Sequence, residues 1–246
     1  MRKIKIGLGI LIIISVLASS GVVVARTSTP DTKGKEKIVF IHYKNDFVRR
    51  PSGRPGKAPT CYGFLSKGAK LKTTEDLIIA PNLDISAILA SAEEWDSHTT
   101  SVNLFGGYTI DSTANWDGWA GSIPDGRNEF SYGNYPQSGV IAVTVVWGYF
   151  SGPASARYIS EFDVLFDTDY EWGDADPNND GVVDNPNVMD LQNIATHEIG
   201  HGVGLADVYQ TACSEVTMYG YSDYGEIIKR TLETPDITGL QKLYGQ

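Results

Sequence analysis

The stretch HEIGHGVGLAD at 197–207 decides how this chain is read. His197 and His201 are four residues apart, so on a helix they project from one face and can grip one metal ion. Glu198 lies at the edge of such a site, where a carboxylate can hold a water and take its proton. Gly204 follows His201 by three residues, and a glycine there lets the helix stop and the chain turn back through a left-handed conformation. Asp207, three residues further on, can then reach the same metal as third ligand. Two imidazoles, one carboxylate and an open fourth position make the donor set of a catalytic zinc rather than a closed structural one.

The flanks support this reading. VMDLQNIATHEIGHGVGL at 188–205 has the apolar positions of a buried helix, and TMYGY follows at 217–221. A thermolysin-like site with Glu215 or Glu226 as third ligand is the alternative, but it leaves Gly204 and Met218 without a role. The other two histidines, His42 in a basic leader and His98 at the end of an amphipathic helix, read as surface or packing residues.

HExxHxxGxxD followed by a Met-containing turn resembles the metzincin signature. The resemblance makes Met218 the Met-turn residue beneath the metal-binding histidines. Tyr219 directly after it is similar to matrixins, whereas astacins and serralysins place a tyrosine where this chain has Gly220. TPDITGLQKLYG at 234–245 resembles the last matrixin helix, and ISAILASAEEWDSHTTSVNLFG at 85–106 resembles the first. The departure is Asp207, where matrixins carry a third histidine; snapalysin-like bacterial metzincins carry Asp there. An anionic ligand neutralises more of the zinc charge, so it is expected to raise the pKa of the bound water and shift the working pH upward.

The resemblance implies an α+β catalytic domain. It would have a twisted mixed β-sheet, an active-site helix, a backing helix and a small C-terminal subdomain ending in a helix. It implies a zinc metalloendopeptidase acting on proteins or peptides, including those of the extracellular matrix, with Glu198 as general base. The substrate is expected to add as a strand along an edge within 139–150, with Tyr219 or Tyr221 assisting at the oxyanion. Matrixin latency through a propeptide cysteine would give Cys61 that part, although PTCYGF does not resemble the usual switch sequence.

The N-terminus speaks to compartment. Arg2, Lys3 and Lys5 precede an apolar run from Ile6 to Leu17, and small residues follow up to Ala25. This reads as a signal peptide over 1–25 or, if uncleaved, a membrane anchor. Either places the rest outside the cytoplasm, secreted or at the outer face of the membrane. In an oxidising compartment the lone pair Cys61 and Cys213 is most simply a disulfide, with free thiols as the alternative.

Residues 26–60 are basic and rich in Pro and Gly, including RRPSGRPGKAP at 49–59, and are expected to form a linker or propeptide with little fixed structure. KIVFIHY at 37–43 is the one strand-like run within them. The catalytic domain is expected over 61–246. DLIIAPNL at 76–83 reads as a strand and 84–98 as a helix capped by Asp84. Residues 139–150 and 156–168 read as two strands, and 234–245 as a helix with Thr234 as N-cap and Pro235 first.

Residues 1–72 sum to +12 and residues 73–246 to −22, for a net charge of −10. This excludes a general nucleic-acid binder. It calls for bound cations, or for the basic segment to lie on the acidic body. Residues 161–190 hold 10 acidic residues and no Lys or Arg. Within them Asp174, Asp176, Asn178, Asp180, Asp184 and Asp190 resemble a calcium loop, with Gly181 at the sharp turn; Asn187 stands where the closing Glu would be. Glu161, Asp163 and Asp167 are candidates for a second site or for a solvated face. The rival class is a calcium-dependent extracellular binding protein with a structural or degenerate zinc site. A monomer is expected in either case.

Overall fold

The computed structural model describes residues 34–45 and 60–245. The expected signal or anchor, and the remainder of the 26–60 segment, lie outside these residues. Eleven strands occur among the described residues: β1 Glu36–Lys44, β2 Gly63–Phe64, β3 Glu75–Ile79, β4 Phe105–Ile110, β5 Asn128–Gly133, β6 Val140–Tyr149, β7 Tyr158–Asp167, β8 Trp172–Gly173, β9 Met189–Asp190, β10 Leu205–Ala206 and β11 Tyr221–Ser222. The helices are α1 Ile85–Asp96, α2 Leu191–Gly202 and α3 Thr234–Tyr244. The architecture is α+β, consistent with a metzincin-like catalytic domain.

The main sheet has seven strands in the order β11-β1-β6-β7-β5-β3-β4. Neighbours are antiparallel at β1–β6 and β6–β7 and parallel elsewhere. VIAVTVVWGY of β6 is almost wholly buried because both of its faces are covered. One face, through Ile141, Ala142 and Val146, joins the large core shared with α1 and α2. The other, through Val143, Val145 and Trp147, packs with Trp116 and Leu165.

Two expectations are corrected here. β6 is an interior strand, so no free edge lies within 139–150. The reason is that Glu36–Lys44 pairs along its whole length, so this part of the 26–60 segment has fixed structure. IVFI at 38–41 puts apolar side chains on both faces of the strand, and such a run is stable only where both faces are covered.

The helices follow their local signals. Asp84 Oδ1 accepts from the backbone N–H groups of Ser86 at 2.9 Å and Ala87 at 3.4 Å, which satisfies donors the first turn leaves orphaned. Asp190 caps α2 through Asn193 N–H at 2.8 Å. In α3 the cap is Glu233 rather than Thr234, in a reciprocal capping box with Asp236. α1 lies against α2, where Trp95 Nε1 donates to the Thr196 carbonyl at 2.8 Å. Cys61 and Cys213 form a disulfide that ties the start of the described main segment to the loop ahead of Met218. That bond removes Cys61 as a switch thiol.

Candidate metal centre

α2 delivers His197 and His201 to one buried point, four residues and one turn apart. His197 Nδ1 sits 2.7 Å from the Thr217 carbonyl and His201 Nδ1 3.1 Å from the Leu205 carbonyl. A carbonyl only accepts, so both Nδ1 atoms carry the proton and both Nε2 atoms offer a lone pair.

After α2 the chain reverses at Gly204, φ +104°. A side chain there would collide with the Ala69 carbonyl, so glycine is required by space as well as by backbone conformation. β10 then pairs with β2, and Asp207 is carried back over the helix. Its Oδ1 lies 3.1 Å from His197 Nε2 and 3.4 Å from His201 Nε2.

The two Nε2 atoms and Asp207 Oδ1 are buried without a hydrogen-bond partner. Three lone-pair atoms facing one another repel unless a cation stands among them. Tetrahedral ligands at zinc–ligand distances of about 2.0–2.1 Å are themselves about 3.3 Å apart, which agrees with the spacing found here. The donor set therefore fits zinc. Burial pushes His197 down to about 4 and so favours the neutral, ligating form.

Asp207 has a fixed partner at its other oxygen. Tyr209 Oη donates to Oδ2 at 2.9 Å and leaves Oδ1 facing the histidines. The Tyr209 ring lies over Gly220, where any side chain would meet it, and at 5.2 Å from the Tyr221 ring. Tyr209 is absent from the sequence candidates; its signal is the i, i+2 spacing from Asp207 in an extended segment. Tyr219 and Tyr221 are buried in the same cluster with Val208 and Cys213. Tyr221 Oη is buried without a partner.

Glu198 is fully buried beside the histidines. Its Oε2 accepts from Thr144 Oγ1 of β6 at 2.5 Å, and its Oε1 lies 3.0 Å from His42 Nδ1 of β1. Burial raises the Glu198 pKa, and burial lowers that of His42 to about 3, so the pair is a neutral imidazole against a carboxyl group. His42 is a correction: the sequence sets it apart from the site, yet its ring stands 4.0 Å from that of His197. His98 is the partly exposed helix-end residue expected, bonded to the Glu94 carbonyl.

Met218 is fully buried. A side chain at Gly200 would collide with its Sδ. The turn is pinned from α3, since Asp236 accepts from the backbone N–H groups of Thr217 at 2.9 Å and Met218 at 3.2 Å. Of the alternative third ligands, Glu215 is exposed and bonded to Ser214, and Glu226 pairs with Lys229.

The acidic loop is held by Arg230 and by its own backbone N–H groups. Arg230 pairs with Asp174 and Asp190, so a guanidinium stands where a cation was expected at those two positions. Asp176 accepts from Asp180 and Gly181 N–H, and Asn178 from Asp180 N–H. Glu161 and Asp163 lie buried on β7, with Glu161 near Asp117 and Asp125 in one three-carboxylate group. Asp167 is also buried, accepting from Tyr135 and Asp169 N–H.

The matrixin family model matches residues 144–245, less than half of the chain. Matrix metalloproteinase-16 of Homo sapiens, Rattus norvegicus and Mus musculus is 32% identical over 97 residues. That match covers 39% of this chain and 14% of the relative's length. Over residues 144–245 the chain is therefore similar to the matrixin family.

Proposed function

We propose that the chain is a secreted zinc metalloendopeptidase that hydrolyses peptide bonds in proteins, with Glu198 as general base. The observation that carries the reading is the convergence of His197 Nε2, His201 Nε2 and Asp207 Oδ1, all unpartnered, beside a buried carboxyl group. Those three residues would hold the zinc. When bound, it supplies Lewis-acid polarisation of a carbonyl and makes a water acidic near neutral pH.

The chain's own groups do the rest. Glu198 removes the proton of the attacking water and returns a proton to the leaving amine nitrogen. Its raised pKa suits both steps, because a carboxyl group that holds a proton more tightly is a better acceptor and still a competent donor. Thr144 donates to Oε2, and Oε1, 3.0 Å from His42 Nδ1, is the oxygen that takes the proton. Tyr209 holds Asp207 in its ligating rotamer. Tyr221, with its buried unpartnered hydroxyl, is the donor offered for the developing oxyanion, and Tyr219 packs against it. The 1–25 segment and the disulfide both suit export. Calcium is assigned to the 176–184 loop as a structural ion.

Glu198→Ala tests the reading. The variant should keep one zinc and its fold while losing casein hydrolysis by about 10²–10⁴-fold. Hydrolysis undiminished in the variant sinks the mechanism, and absence of zinc from both proteins sinks the metal site.

A further inference from the structure

A cavity of about 380 Å³ opens at the N-terminal ends of α1 and α2, and no residue of the metal centre lines it. Its volume falls within the range of about 300–1,000 Å³ that small-molecule sites occupy. It lies beyond the carboxyl ends of β3, β5 and β7, which run parallel to one another. Asn82 and Asp84 follow β3, Tyr132 stands near the end of β5, and Trp172 follows β7. Parallel strands that stop together leave a crevice at that end, and ligands of open sheets collect there.

The charged groups of the wall are already matched. Arg230, only 8% exposed, donates through Nε and Nη2 to Asp190, through Nη2 to Asp174 and through Nη1 to the Asp176 carbonyl. Asp190 also accepts from the N–H groups of Ala175 and Asn193 at 2.8 Å each. Asp84 Oδ1 is committed to the first turn of α1. A charged ligand would have to displace one of these partners, and a buried charge that loses its partner is costly.

Neutral groups are what the wall has left to offer. The side-chain amides of Asn82 and Gln192 and the Tyr132 hydroxyl have no hydrogen-bond partner among the described residues. Burial, with the Asp84 carboxylate nearby, raises Tyr132 to about 12, so its hydroxyl keeps its proton and can donate. Beside these groups stand two aromatic rings. Trp172 and Tyr132 have centroids 6.0 Å apart and planes inclined by 49°. Both rings are held: Trp172 Nε1 donates to the Asp167 carbonyl at 2.8 Å, and each ring meets Phe166 edge to face.

We infer that this cavity binds one uncharged saccharide ring of a glycan. A pyranose carries C–H groups on one face and hydroxyls around its rim, and each hydroxyl both donates and accepts. The C–H face lies against Trp172 and Tyr132, and the hydroxyls pair with Asn82, Gln192, Tyr132 and the remaining oxygen of Asp84. A plain aromatic ligand would cover the two amides and leave them unpaired, which opposes its binding. The site is separate from the peptide-bond chemistry and stands or falls without the protease reading.

The test titrates the full chain with the methyl glycosides of glucose, galactose, mannose and N-acetylglucosamine, followed by saturation-transfer NMR. At least one should bind with a Kd of about 0.1–10 mM, the affinity a ligand of this size reaches. Trp172→Ala should abolish the signal. Trp172 also packs on Phe166, so a second variant decides if that one does not fold: Asn82→Ala/Gln192→Ala, whose lost amides bond nothing else among the described residues. It should keep the starting Tm and weaken binding by about 10-fold or more. Silence from all four glycosides overturns the inference, as does a folded amide variant that binds as tightly as the starting chain. Arginine methyl ester and inorganic phosphate serve as charged controls. A signal from either that the amide variant loses, with the sugars silent, would make this a site for ions and overturn the saccharide assignment.

Discussion

Replacing Gly200 by alanine tests the packing under the metal site. The helix itself would favour the change by about 0.5–1 kcal/mol, because glycine costs that much relative to alanine within a helix. Packing opposes it. The new methyl would collide with Met218 Sδ and stand 2.8 Å from Trp95 Cζ2 and 3.0 Å from Met218 Cε. Neither neighbour is free to step aside. Met218 is buried with its backbone held by Asp236, and Trp95 is tied to the Thr196 carbonyl.

Overpacking a filled core costs about 1–3 kcal/mol, so the net effect is a loss of up to about 2.5 kcal/mol. For a domain of this size that lowers Tm by up to about 10 °C. Met218→Ala alone should cost about 2–5 kcal/mol through the cavity it leaves. In the double variant the methyl added at position 200 enters the space vacated by the sulfur, so the double should be more stable than the sum of the singles by about 1 kcal/mol. The contact with Trp95 remains, so rescue stays partial. Urea unfolding of all four proteins measures the cycle. Additivity within about 0.5 kcal/mol would refute the placement of Met218 against Gly200.

Other predictions concern the ligand set and the acidic face. Tyr209→Phe should weaken zinc affinity by about 10–100-fold in a chelator competition while leaving the metal-free Tm nearly unchanged; equal affinity would deny Tyr209 a hold on Asp207. Burial, reinforced by neighbouring acids, raises Glu161 to about 8 and Glu129 to about 7 from 4.5. The folded state therefore binds protons that the unfolded state has released. Their contribution is fully present below pH 4.5 and is lost as pH rises through 7 and 8. Tm should fall between about pH 5 and pH 8.5, and Glu161→Gln should flatten the slope; a slope unaltered by that change refutes the assignment. If calcium occupies the 176–184 loop, adding it to chelator-treated protein should raise Tm, and Asp180→Ala should remove the effect. An unchanged Tm removes calcium from that loop.

Much of the site was legible because it is local. The spacing of His197, Glu198 and His201 is set by one helix, and the turn at Gly204 by one left-handed residue. Asp84 announced its helix because capping is a contact over two and three residues. The apolar run of β6 announced a strand, and the match over 144–245 covers the same stretch of chain as the motif. What local spacing leaves open is what the chain brings together from afar. His42 reaches Glu198 across 156 residues, and Arg230 reaches Asp190 across 40.

The sequence by itself determined that His197, Glu198 and His201 share one helix, that the chain turns back at Gly204, and the mixed α and β character. These depend on spacings of a few residues and on backbone preferences that operate within one turn. Only the tertiary structure decided that β1 lies between β6 and β11, that β6 has no free edge, and that Glu198 is shared between Thr144 and His42. An apolar strand states that both its faces are buried and leaves open which strand lies beside it. That choice is made by side-chain packing and backbone pairing between distant segments, and no local pattern encodes it.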